Sequence, residues 1–133
     1  MNSLHDSMPM QLLQTPAAGR VALKCFFHIT EKWSLDIHEA RVLLGCISKS
    51  TYYRYRKLPE IVLRTDTLDR ISYIIGIYKR LHTLFTDEDR ANQWIKRPNK
   101  AAPFKGGTAL DRMMTGEIDD LAAVRFYLDS YCS

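Results

Sequence analysis

The sequence predicts an all-α chain, and three observations carry that prediction. Apolar residues recur at three- and four-residue spacing through most of the chain, no alternating run is long enough to make a strand, and Ser, Thr, Gly and Pro fall where helices start and stop. No internal repeat is present. The 133 residues, 46% hydrophobic and 26% charged, fit one compact domain or two small lobes sharing a core.

Residues 1 to 19 show no sustained period and read as a flexible N-terminal arm ending at Pro16 to Gly19. From Arg20 the pattern turns helical, with Val21, Leu23, Cys25, Phe26, Phe27, Ile29 and Trp33 as its apolar content. Ser34 is expected to cap a second helix, in which Leu35, Ile37, Ala40, Val42, Leu43 and Leu44 supply the apolar side and Gly45 leaves in a left-handed conformation. Cys46 and Ile47 make a very short link. Ser48 then caps a third helix, Lys49 to about Lys57, which Pro59 prevents from continuing.

A linker from Leu58 to Asp66 leads to the longest amphipathic run, starting at Thr67. Leu68, Ile71, Ile74, Ile75, Tyr78, Leu81 and Phe85 take one side of it, and Asp69, Arg70, Lys79 and Arg80 the other. Asp87 to Ile95 reads as a short acid-led helix anchored by Trp94. A Pro-, Lys-, Ala- and Gly-containing loop follows. Two helices close the chain: Ala109 to Thr115, capped by Thr108 and stopped by Gly116, and Asp119 to about Tyr131, with Leu121, Val124, Leu128 and Tyr131 on one face.

Several function classes are disfavoured. No apolar run approaches the roughly 18 to 20 residues that cross a bilayer, and the N-terminus lacks the basic lead and apolar stretch of a signal peptide, so a cytoplasmic location is expected. Cys25, Cys46 and Cys132 are too widely spaced for a disulfide framework or a metal knuckle. His5, His28, His38 and His82 form no H-E-x-x-H pair, and Cys25 with His28 lacks a third ligand or an orienting carboxylate. The acids of the last helix are explained by capping and solvation. Neither catalysis nor a cofactor or metal is expected.

Charge is more informative. Residues 1 to 57 carry eight Lys plus Arg against four Asp plus Glu, whereas residues 58 to 133 carry eleven of each. The net charge of +4 is therefore N-terminal, and Lys49, Arg54, Arg56 and Lys57 equal it. A concentrated basic field attracts a polyanion better than a dispersed one. Residues 108 to 133 lean acidic, with Arg112 and Arg125 against Asp111, Glu117, Asp119, Asp120 and Asp129.

On a helical wheel, Lys49, Ser50, Tyr53, Arg54 and Lys57 fall within an arc of about 140°, while Tyr52 and Tyr55 point the other way, flanked by Ser48 and Arg56. The first set can hold phosphates and touch base edges; the second can pack on helices one and two. A solvated basic helix is the plainer reading of such a run. The short turn after Leu44-Gly45, the Ser-x-Ser-Thr opening and the regional charge surplus favour a helix-turn-helix, with Lys49, Ser50, Thr51, Tyr53, Arg54 and Lys57 as DNA-binding residues. One departure is that Arg41 stands four positions before the turn glycine, where many such units have a small residue; Ala40 lies one residue earlier.

The stretches LLGCISKSTYYRYRK and PFKGGTALDRMMTGEIDDLAAVRFYLDSY together resemble the Xre/MbcA/ParS family of bacterial antitoxins. The resemblance covers roughly Arg20 to the end. Its C-terminal part rests on Trp94, Pro98-Asn99, Phe104, Gly106-Gly107, Ala109-Leu110, Met114 and Gly116, in that order; Gly106 and Gly107 permit a sharp turn, with Phe104 and Met114 as core plugs around it.

The resemblance implies a helix-turn-helix DNA-binding bundle over residues 20–58 packed on a toxin-binding helical region over 67–133. It also implies a RES-domain toxin as partner, with the last helix and C-terminal residues obstructing the toxin's NAD-binding cleft. Lys105, Asp111, Arg112, Arg125, Phe126 and Tyr131 are the contact candidates, chosen for expected exposure or position. Operator DNA and a homodimer complete the expected partners, because one small helix-turn-helix seldom binds a site tightly. The alternative is a stand-alone regulator or partition-like DNA-binding protein without a toxin.

Overall fold

The computed structural model describes residues 14–131. Among them are seven α-helices: α1 (Pro16–Lys32), α2 (Ile37–Leu43), α3 (Lys49–Arg56), α4 (Thr65–Leu84), α5 (Glu88–Gln93), α6 (Ala109–Met113) and α7 (Ile118–Asp129). A single 3-10 turn, Trp94–Lys96, extends α5, and an isolated antiparallel bridge joins Pro98 to Thr108. No helix among the described residues is long and apolar enough to cross a membrane.

The expected arm to Gly19 is corrected at its end, and its residues 1–13 lie outside the described chain. Thr15 accepts the Ala18 N–H at 3.1 Å and Pro16 takes the first helical position, where no N–H is needed. Ser34 does not cap α2. It sits at φ 53 just past α1, and Asp36 caps instead, in a capping box with Glu39. The central helix opens at Thr65, before the expected Thr67, and without a side-chain cap.

The core is assembled around α4, whose Leu68, Ile71, Ile74, Ile77 and Leu81 are fully buried. On one flank lies α1, with Leu23, Phe26 and Trp33; on the other lies α7, with Leu121, Val124 and Leu128. Each such side chain contributes about 1.5–3 kcal/mol on leaving water. Tyr131 is not part of that face: it lies beyond the helix and is 62% exposed. Phe104 is buried as expected, but Met113 rather than Met114 is the fully buried methionine of α6. Val21, expected among the apolar residues of the first helix, is 53% exposed.

Two charged residues of α4 expected on its wet side are drawn inward. Arg70 is buried, donating from Nε to Asp66 at 2.9 Å and from Nη1 to the Gly116 carbonyl at 2.8 Å. Arg80 reaches Asp129 of α7 at 2.6 Å.

The segment before α4 is packed rather than loose. Leu63 is buried, and the Ile61 backbone crosses α1 so closely at Gly19 that a Cβ there would overlap the Ile61 carbonyl. Helix propensity alone favours Gly19→Ala by about 1 kcal/mol. The obstacle is backbone, however, and overpacking costs about 1–3 kcal/mol. Gly19→Ala is expected to lower stability in chemical denaturation; a variant as stable as the parent would contradict the close crossing.

Candidate functional site

The turn between α2 and α3 is built from three constraints. Gly45 leaves α2 at φ 100 with its α-carbon against the Arg70 guanidinium, where an added Cβ would stand 3.3 Å from Nε. Arg41 closes the turn: its carbonyl accepts the Ile47 N–H at 3.2 Å and its Nε donates to the Ile47 carbonyl at 2.8 Å. Ala40, 2% exposed, supplies the small buried residue. The departure at Arg41 is thus a clasp on the turn, and the close packing falls to the residue before it.

Helix α3 starts where Ser48 accepts the Thr51 N–H at 3.2 Å. Its inner side is aromatic. Tyr52 is buried edge-on against Phe27 at 5.7 Å, and Tyr55 is half-buried. The Arg56 guanidinium lies 4.8 Å from the centre of the Phe27 ring, which ties this cation to the α1–α3 contact.

The outer side carries Lys49, Ser50, Tyr53, Arg54 and Lys57, all exposed. Neither Lys49, Arg54 nor Lys57 is ion-paired among the described residues. Thr51 is half-buried, its hydroxyl accepting from Ser48 at 3.1 Å. This face is therefore a set of available donors around an exposed phenol ring, suited to phosphate oxygens and base edges.

The C-terminal residues divide differently. Lys105, Phe126 and Tyr131 are exposed, Phe126 standing edge-on to Tyr73. Asp111 is exposed but accepts the Thr108 N–H within the α6 capping box. Arg112 and Arg125, chosen for exposure or position, are half-buried and engaged within the lobe. Arg112 pairs with Asp120 at 2.9 Å and donates to the Pro103 carbonyl at 3.1 Å. Arg125 lies across Gly76 of α4, in the space a larger residue would fill, and reaches both Asp129 oxygens at 3.2 Å.

A groove of ≈ 390 Å³ that the sequence reasoning missed opens beside Tyr131, lined by Leu84, Phe85, Trp94, Tyr127 and Leu128. The Tyr127/Tyr131 pair at i, i+4 was its readable signal. Hydrogen bonding to Tyr131, then burial, raises the Tyr127 phenol above its ordinary range. No group of three or more His, Cys, Asp or Glu that could hold a metal occurs among the described residues.

Asp120 organises the α6–α7 turn. The Thr115 hydroxyl, donating at 2.5 Å, and then Arg112 hold its carboxyl below the usual aspartate range. A depressed folded-state value means the associated stability is complete above the ordinary aspartate range and is lost as pH falls through the folded value. Thr115→Val is expected to move the Asp120 titration upward when followed by carboxyl-carbon NMR. Identical titrations in parent and variant would refute the Thr115 contribution.

Comparison with known proteins follows the same division. Residues 12–76 match the family model of the antitoxin Xre-like helix-turn-helix domain. Residues 80–131 match that of the antitoxin Xre/MbcA/ParS C-terminal toxin-binding domain. The chain is also 42% identical over 108 residues to the "Uncharacterized protein y4oB" of Sinorhizobium fredii, with 81% of each chain covered.

Proposed function

The chain belongs to the Xre/MbcA/ParS antitoxin family, and from that premise we propose that it neutralises a RES-domain, NAD-degrading toxin by direct binding and represses its own operon through α3. The observation that carries the DNA half is the exposed cationic face, without an ion pair among the described residues, of a helix held outward by a clasped turn. Phosphate contacts supply affinity there, and Ser50, Thr51, Tyr53 and Arg54 are positioned to meet base edges. Toxin binding is assigned to the C-terminal lobe, where exposed Phe126 and Tyr131 offer aromatic anchors and Lys105 and Asp111 polar contacts. Arg112 and Arg125 act in this reading by holding the α6–α7 turn and α7 in place.

The protein acts by binding, not by catalysis, and works as a homodimer. Two α3 helices would then address half-sites about 34–36 Å apart. A bound toxin is inhibited because α7 and the residues after it obstruct its NAD-binding cleft.

Two outcomes are expected. Arg54→Ala weakens operator binding, and Lys57→Ala makes the dependence of log K on log salt shallower by about 0.9, the loss of one phosphate contact. Parental binding and slope in both variants, with helical content unchanged, would remove α3 from the interface. Co-expression with the adjacent open reading frame should rescue growth and copurify a complex. A neighbour that is neither toxic nor retained would instead leave a stand-alone regulator.

A further inference from the structure

The second half of the chain is neutral in sum, but its charges are segregated. Between residues 91 and 110 stand Lys96, Arg97, Lys100 and Lys105, with no Asp or Glu among them. All four are exposed. None is ion-paired among the described residues. Lys96 donates to the Ser34 carbonyl at 3.0 Å, and Arg97 to the Gln93 side-chain oxygen at 3.4 Å.

The loop that carries these cations is held by its own bonds. The Asn99 N–H donates to the Gly107 carbonyl and the Gly106 N–H to the Asn99 carbonyl, both at 2.8 Å. Buried Phe104 anchors the middle of the loop, edge-on to Trp94 at 5.8 Å and to Tyr127 at 5.1 Å. A loop ordered before binding loses less freedom on meeting a ligand than a mobile basic segment does.

Its position relates it to the helix-turn-helix. Ser34, which holds Lys96, belongs to the connection between α1 and α2, and the next residue, Leu35, shares a recess with Tyr52 and Arg56 of α3. When such a motif docks, its second helix enters the groove and the preceding helix crosses the sugar-phosphate backbone. Lys96 is thus tied to the end of the connection from which α2 begins that crossing. Asp36 and Glu39 lie at the same end, with their carboxylates engaged in the capping box.

We propose that the 96–105 loop of the C-terminal lobe is a second nucleic-acid contact, gripping backbone phosphates beside the groove that α3 enters. The proposal rests on the DNA-binding reading of α3 and extends it: sequence is read by α3, while part of the electrostatic affinity comes from the lobe that docks the toxin. The ligand is the duplex backbone, so the contact is independent of base sequence.

The test uses the full chain and random-sequence duplex DNA, with binding measured by fluorescence anisotropy over a salt series. The double substitution Arg97→Gln, Lys100→Gln should make the slope of log K against log salt shallower by about 1.8, and Lys96→Gln alone by about 0.9, each lost phosphate contact counting about 0.9. Circular dichroism and the thermal midpoint should match the parent, since these side chains are exposed. Parental slopes in both variants would overturn the proposal. So would a parental slope combined with weakened capture of the co-expressed toxin, which would give the loop to the protein interface. Arg54→Ala run in parallel tests α3 separately: a parental result there strikes the α3 reading, and the loop variants still report on the loop.

Discussion

The arrangement depends on one buried cation. Arg70, near the start of the central helix, holds the Gly116 carbonyl across 46 residues of sequence while its guanidinium forms the surface on which Gly45 lies. It thereby fastens the turn before α3 and the turn before α7 to the same helical position. Hydrogen bonds to a charged group contribute about 1.5–3 kcal/mol each, and a buried guanidinium deprived of them is strongly unfavourable. Asp66 provides the compensating charge one turn away. The contact therefore specifies which surfaces face which, a task that apolar packing of α4 against α1 and α7 performs less selectively.

Charge is handled in two ways. Inside the α4–α7 seam Arg80 and Arg125 share Asp129, and between α6 and α7 Arg112 takes Asp120. On α3 the cations have no acidic partner among the described residues; Arg56 lies against the Phe27 ring in the α1–α3 contact and Arg54 over the ring of Tyr55. The inward pairs fix geometry. The outward cations remain able to exchange their counterions for phosphate, which is where the electrostatic free energy of nucleic-acid binding arises.

How much was legible follows from how local each determinant is. The two sides of α3, the Ser48 and Thr108 caps and the left-handed Gly45 all depend on neighbours within four residues, and the sequence shows them. The start of α1 was missed because Pro16 reads as a breaker unless Thr15 is seen as a cap. Asp36 competes with Ser34 for the α2 cap, and the backbone, at φ 53 for Ser34, decides it. Arg70, Arg112 and Arg125 resemble solvated residues on a wheel, because the groups that draw them inward lie in other elements. The balanced charge of residues 58–133 likewise hid the cationic run at 96–105, since a sum over a long window erases local sign.

The division into two matched regions falls near residue 80, inside α4, and no flexible hinge separates them. Recombination between relatives therefore cannot trade a reader for a toxin clamp by cutting at a linker. A viable chimera must inherit both sides of the shared rod, including Arg70 with its two glycine-bearing turns, so the two matched regions travel through lineages as one heritable unit.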